Sequence, residues 1–187
     1  MIKRILPVCF LLMVSFAQAQ SPILKKNVTG VQIGLFELDA YHEIRIANKA
    51  SLRTDVLLFP AIWGGELYDN QSGFALYPAF TLTPKYYYNI NRRVKKDKNI
   101  KNNAANYLGL QIRYMPGWVF SNHKNMNLPD QINFIPTYGF RRNFLNNFNY
   151  EFKTGFGYGF GRSEIFGVDM NVSGPVFDLT FKVGYDF

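Results

Sequence analysis

An all-β chain, closed as an eight-stranded antiparallel up-and-down transmembrane β-barrel, is what this 187-residue sequence predicts. Three observations carry the prediction. Residues 176–187 alternate without a fault, with Phe177, Leu179, Phe181, Val183, Tyr185 and Phe187 on one face and Asp178, Thr180, Lys182, Gly184 and Asp186 on the other. A strand turns successive side chains to opposite faces, so this segment has one oily surface and one polar surface. The same rhythm recurs along the chain, while no segment keeps a helical period or reaches the roughly 18 consecutive apolar residues of a membrane helix. Finally, 18 Phe and 12 Tyr supply the aromatic girdles of a barrel that needs an apolar outer face on every strand.

The N-terminus predicts export. Met1-Ile2-Lys3-Arg4 is a short positive region, Ile5 to Phe16 is apolar, and Ala17-Gln18-Ala19 has the small-x-small form of a cleavage site. That pattern is a secretory signal peptide, too short to span a bilayer. The expected organisation is a signal peptide at 1–19 and one barrel domain at 20–187. Cys9 is the only cysteine, and Pro7-Val8 before it makes a poor lipobox, so the mature chain is expected to lack thiols and disulfides. The formal charge of +8 falls to +6 when Lys3 and Arg4 leave. For an exported barrel that surplus favours lipid over nucleic acid as a counterpart.

Eight segments read as strands. Thr29 to Leu38 turns Val31, Ile33 and Leu35 outward. Ala40 to Ile46 and Ala50 to Phe59 form a hairpin about Asn48-Lys49, with Ile44, Ile46, Leu52, Val56 and Leu58 opposite Glu43, Arg45, Arg53 and Asp55. Phe74 to Ile90 carries Leu76, Phe80, Leu82, Tyr86 and Tyr88 outward and Tyr77, Thr81, Thr83, Lys85 and Asn89 inward. Ala104 to Tyr114 sets Leu108, Leu110 and Ile112 against Gln111 and Arg113. Gln131 to Phe140 contains Pro136, which cannot donate to a ladder, so a bulge or frayed stretch is expected there. Phe148 to Phe160 alternates aromatics with Gly155, Gly157 and Gly159, which face inward where a narrow barrel has least room. Pro175 opens the eighth strand.

An even strand number puts both ends on one side, the periplasmic side in bacterial barrels. Links 39–40, 60–73, 115–130 and 161–174 are then external, and Asn48-Lys49, 91–103 and 141–147 are periplasmic. The 91–103 link is long for such a turn, and a strand miscounted before it would move it to the other side. With its signal peptide, alternating strands and terminal Tyr185-x-Phe187, the chain resembles small eight-stranded outer-membrane β-barrel proteins. The segment Lys182-Val183-Gly184-Tyr185-Asp186-Phe187 is similar to the C-terminal signal, here Gly184, Tyr185 and Phe187, read by the barrel assembly machinery. The basic link followed by Asn106-Tyr107-Leu108-Gly109 resembles uncharacterised gram-negative barrel-domain proteins. That resemblance implies the cell outer membrane and the fold, and no activity.

The inward face holds the chemistry. Arg45, Arg53, Lys85, Arg113, Lys153 and Lys182 oppose Glu43, Asp55, Glu151 and Asp178. An eight-stranded barrel has room only for side chains or one small ligand, and unpaired buried charge is expensive, so a structural ion-pair network filling the lumen is expected. A small anion site or leak pathway using the six-to-four basic excess is the functional alternative. The link carrying Arg92, Arg93, Lys95, Lys96, Lys98 and Lys101 reads first as a solvated turn and second as a site for lipid phosphates or an anionic partner. It lacks the interleaved aromatics of a nucleic-acid platform. Trp63 and Trp118 fall at outer strand ends, as girdle residues do.

Ser121-x-His123 raises a lipid-A- or phospholipid-modifying enzyme as the alternative reading. A serine nucleophile needs a base within about 3 Å and a third group to orient it. The polar loop context and reversed spacing argue against that constellation, and His42 faces outward. No catalytic residue, cofactor or metal ligand is assigned. The expectation is a non-enzymatic envelope protein, structural or binding through its external loops, with outer-membrane lipids and the assembly machinery as partners. A soluble barrel carrying an apolar ligand would invert the polarity, with Phe and Leu inside.

Overall fold

The computed structural model describes residues 24–63, 72–122, 129–165 and 168–187; the signal-peptide expectation lies outside them. Eight antiparallel strands close into an up-and-down barrel: β1 (Asn27–Gly34), β2 (Leu38–Ala47), β3 (Ala50–Trp63), β4 (Gly73–Tyr86), β5 (Asn106–Met115), β6 (Asp130–Phe144), β7 (Phe148–Ile165) and β8 (Val168–Asp186). A two-residue strand, Phe120–Ser121, adds to the β4 edge through Ala75↔Ser121 and Leu76↔Phe120. Each strand pairs with its sequence neighbours, and β1 closes the ring on β8 from Gly30↔Asp186 to Gly34↔Lys182. The Phe187 amide continues that seam by donating to Thr29 O at 2.9 Å. The chain ends, the Asn48-Lys49 turn, the 87–105 link and the 145–147 turn therefore share one end of the barrel, called the near end below.

Alternation places the side chains as the period of 2 requires. Val31, Ile33, Ile44, Val56, Phe80, Leu82 and the odd-numbered apolar residues 177–187 are exposed on the outer wall. Their neighbours Gln32, Glu43, Arg53, Asp55, Thr81, Thr83, Lys85, Asp178 and Lys182 are buried inside. Tyrosines fill the narrow lumen by lying over glycines on the adjacent strand. Tyr41 sits opposite Gly30 and Tyr107 opposite Gly139. A Cβ on Gly139 would stand 2.4 Å from the Tyr107 ring, so the aromatic occupies space that only glycine leaves open.

Several strand boundaries differ from the sequence expectation. β3 runs four residues past Phe59 to Trp63, and β4 ends at Tyr86 instead of Ile90, where a short helix begins. β1 stops at Gly34, and residues 35–37 form the first far-end turn, clasped by Gly34 N donating to Glu37 O at 2.8 Å. Asp39, expected in a link, is consequently an inward residue of β2. β6 runs past Phe140 to Phe144, so the link at 141–147 shrinks to 145–147 and Arg141 enters the lumen. β7 and β8 continue to the pair Ile165↔Val168, where a loop at 161–174 was expected. Where β6, β7 and β8 run on, ladder hydrogen bonds persist where the apolar alternation has faded, because pairing does not itself need an oily face. At Pro136 the β6–β7 ladder lapses between Phe134↔Tyr158 and Thr137↔Gly155 and resumes in the same register. It is a frayed gap rather than a bulge.

The basic link is not a loose turn. It contains a short helix, α1 (Ile90–Val94), and a 3-10 turn, Lys101–Asn103. Ile90, Ala105, Tyr87 and Tyr107 pack with Leu24 into a small buried apolar cluster flanked by Ile100. The link folds back over the near end and plugs it.

Candidate functional site

The lumen is built around Arg53 of β3. Its guanidinium donates to Asp55 Oδ1 at 2.6 Å, Glu151 Oε2 at 2.7 Å, Gln32 Oε1 at 2.8 Å and Asp39 Oδ2 at 2.9 Å, and it lies 3.9 Å over the Tyr41 ring. Planar and forked, it can address several carboxylates that a lysine would meet one at a time. Lys85 of β4 joins Glu151 at 3.0 Å and Glu43 at 3.6 Å. Lys182 of β8 joins Glu37 and Asp39, each at 2.8 Å. Toward the far end, Asp178 takes Arg113 at 2.9 Å and Lys153 at 3.1 Å. Toward the near end, Arg141 pairs with Asp186, and Tyr41 donates to the same carboxylate.

The plug docks onto this network through two asparagines. Asn102 and Asn103 have positive φ, 48° and 65°, a region that asparagine tolerates better than most residues. That backbone presents both amides to buried carboxylates: Asn103 Nδ2 donates to Glu43 Oε1 at 2.6 Å, and Asn102 Nδ2 to Asp186 Oδ2 at 2.8 Å. The N-terminal segment straps the plug from outside, with Lys25 N donating to Asn103 Oδ1 at 2.9 Å.

Charge is close to balanced among the described lumen residues. Six cations (Arg53, Lys85, Arg113, Arg141, Lys153, Lys182) meet seven carboxylates (Glu37, Asp39, Glu43, Asp55, Glu151, Asp178, Asp186). The basic excess that motivated an anion site is gone. A cavity of about 20 Å³ beside Arg53, Thr81 and Lys153 has room for roughly one water. The arrangement can hold eight strands together and close the lumen; it offers neither a ligand chamber nor a channel at this level.

Of the residues singled out in the sequence, Glu43, Arg53, Asp55, Lys85, Arg113, Glu151, Lys153, Asp178 and Lys182 stand in these ion pairs. Arg45 does not: half-buried at the near mouth, it donates to Leu24 O at 2.8 Å. Glu37, Asp39, Arg141 and Asp186 were not singled out. Continuing the alternation inward from Glu43 to Tyr41 and Asp39, from Gly139 to Arg141, and from Lys182 to Asp186 finds three of them; Glu37 lies in the 35–37 turn, outside any strand. Arg92, Lys95, Lys96, Lys98 and Lys101 are exposed on the plug's outer side and Arg93 is half-buried. Gly184 lies at the β1–β8 seam, with Tyr185 and Phe187 outward and their ring centroids 5.7 Å apart. Ser121 pairs with Ala75, whereas His123 lies outside the described residues. His42 is outward, its Nδ1 2.6 Å from Thr29 Oγ1. Trp118 is exposed and packs edge-on against Phe120; the Trp63 side chain lies outside the described residues.

No family model, curated protein or solved structure matches the chain.

Proposed function

We propose that this chain is an integral outer-membrane β-barrel protein without enzymatic activity, stabilising the envelope or binding through its far-end loops, with its lumen sealed. The observation that carries the proposal is the polarity of the wall. Phe156, Phe177 and Leu179 are 67 %, 66 % and 61 % exposed while Arg53, Glu43 and Arg141 are at most 3 % exposed. In water such a wall would leave a continuous apolar surface unburied. In a bilayer it is the surface that the solvent requires. A soluble carrier of an apolar ligand needs the opposite arrangement. The far end is suited to binding because β7 and β8 rise beyond β1, whose pairing with β8 stops at Gly34↔Lys182.

Cell fractionation followed by trypsin tests the proposal. The chain should partition with the outer membrane, and cuts between Arg92 and Lys101 should appear only after permeabilisation. Recovery in the soluble fraction would overturn the membrane assignment. Cleavage in intact cells would place the plugged end outside.

A further inference from the structure

The outer side of the plug meets the barrel wall in a second, differently built place. A cleft of about 300 Å³ lies where α1 approaches β5 and β6, and Arg92, Arg93, Lys96, Lys98, Arg142 and Tyr88 line it. The lumen pairs its cations with carboxylates; here none of the five cations has a carboxylate within ion-pair distance among the described residues. Asp97 lies between two of them in sequence but not in the lining. Two of the cations are fixed by the fold. Arg93 Nη2 donates to Asn99 O at 2.7 Å, and Arg142 Nη2 to Asn106 Oδ1 at 2.6 Å. Partial burial and the like charge of Arg142 push the Arg93 guanidinium below its ordinary value. The cleft is therefore a preformed concentration of positive charge lacking its counter-charge. Its other border is the outer wall. Asn106 Nδ2 donates to Tyr88 Oη at 3.1 Å and Tyr138 Oη at 2.9 Å, and both tyrosines are exposed on the apolar face.

We propose that this cleft binds the phosphate-bearing headgroup of an anionic phospholipid whose acyl chains lie along the adjoining wall below Tyr88 and Tyr138. Guanidinium forks and ammonium groups match phosphate oxygens, and the interfacial tyrosines mark the depth at which headgroups sit. The site rests on the outer-membrane reading, in which the near end faces the phospholipid leaflet. A soluble anion would satisfy the cations alone. The apolar wall joined to the cleft favours a lipid.

The test uses the full chain purified from membranes, its folding checked by heat-modifiable migration, and a Arg92→Gln/Lys96→Gln/Lys98→Gln variant. These three side chains are exposed, and no carboxylate of the described residues pairs with them. Both proteins are reconstituted in vesicles of phosphatidylcholine and in equimolar phosphatidylcholine and phosphatidylglycerol, released into mild detergent and examined by native mass spectrometry. The expected result is a phosphatidylglycerol adduct on the native chain that inorganic phosphate does not displace. Binding should weaken about fivefold per cation removed, on the order of a hundredfold for three. Equal retention of the two lipids, or an unchanged adduct on the variant, overturns the proposal. Displacement by inorganic phosphate overturns the lipid and leaves a free-phosphate site. Failure to insert into either vesicle contradicts the membrane reading itself, an outcome seen before any lipid is counted.

Discussion

Replacing Arg53 with methionine tests whether the lumen network holds the barrel together. The side chain donates to four acceptors, and counting each as a bond to a charged group, about 1.5–3 kcal/mol apiece, would suggest a loss near 10 kcal/mol. The geometry argues for much less. Without Arg53, Asp39 keeps Lys182 at 2.8 Å, and Glu151 keeps Lys85 at 3.0 Å and the Tyr107 hydroxyl. Asp55 keeps only the Thr81 hydroxyl at 2.5 Å, with no second cation at ion-pair distance. Gln32 Oε1 loses its donor as well, a neutral acceptor that weighs less than a charge, so the cost is mainly that of one orphaned buried carboxylate, about 3–5 kcal/mol. Neutralising the orphan should recover most of it, so Arg53→Met/Asp55→Asn should fall within about 1–2 kcal/mol of the native chain. Urea unfolding in lipid vesicles, followed by heat-modifiable gel migration, measures both variants. Because Arg53 is only 3 % exposed, added salt should leave the difference in place. A single variant within about 1 kcal/mol of native, or a double variant as unstable as the sum of its parts, would refute the reasoning.

Phe181→Arg puts a charge on the outer wall beside Tyr150, 6.4 Å away; insertion into vesicles should weaken by about 2–4 kcal/mol, and an unchanged urea midpoint would contradict the outward assignment. Gly157→Ala sets a Cβ 2.0 Å from Phe134 O, a backbone atom that no rotamer can move, whereas a Cβ on Gly174 meets nothing within 4 Å. The first substitution should cost about 1–3 kcal/mol or more and lower folded yield, and the second should be close to silent; equal yields would count against this packing. Asn103→Ala removes one donor from Glu43, which retains the Tyr87 hydroxyl at 2.7 Å. Plug opening should become easier by about 1.5–3 kcal/mol, read as faster tryptic cutting at Lys98 and Lys101 with little change in the global urea midpoint. An unaltered cutting rate would mean the asparagine does not hold the plug.

The barrel was legible because its outer wall obeys one rule. Wherever an apolar residue recurs every second position, as from Phe177 to Phe187, the face of each neighbour follows, and with it the inward position of Arg53, Lys85 and Glu151. The rule loses its grip at the strand ends. Arg141 follows Phe140 with Arg142 beside it, so the continuing alternation is masked by a dipeptide that reads as a polar turn; in the barrel Arg141 points inward and meets Asp186 of β8. The plug was illegible for another reason. A run containing Arg92, Arg93, Lys95, Lys96, Lys98 and Lys101 has the composition of a solvated turn. What orders it is Ile90 and Ile100 meeting Leu24, and two asparagines in left-handed backbone meeting carboxylates on β2 and β8. Those contacts join residues far apart in the chain and leave no local period.

The contrast between the two basic sets follows from the same accounting of polar groups. Within the lumen a cation is shielded from water and lipid headgroups alike, so it persists only beside a carboxylate; Arg141, fully buried, has Asp186. On the plug's outer side Arg92, Lys96 and Lys98 reach solvent, and hydration makes an unpaired charge tolerable. Tolerance does not explain why Arg93 and Arg142, both partly buried, are held toward one cleft by Asn99 and Asn106 instead of being released into water. Ordering two like charges side by side costs free energy unless an anion sits between them. In a chain that otherwise pairs its buried charge so closely, that cost argues for a counter-ion supplied from outside. On the proposed outer-membrane reading, the exposed tyrosines at the cleft's edge favour the leaflet as its source.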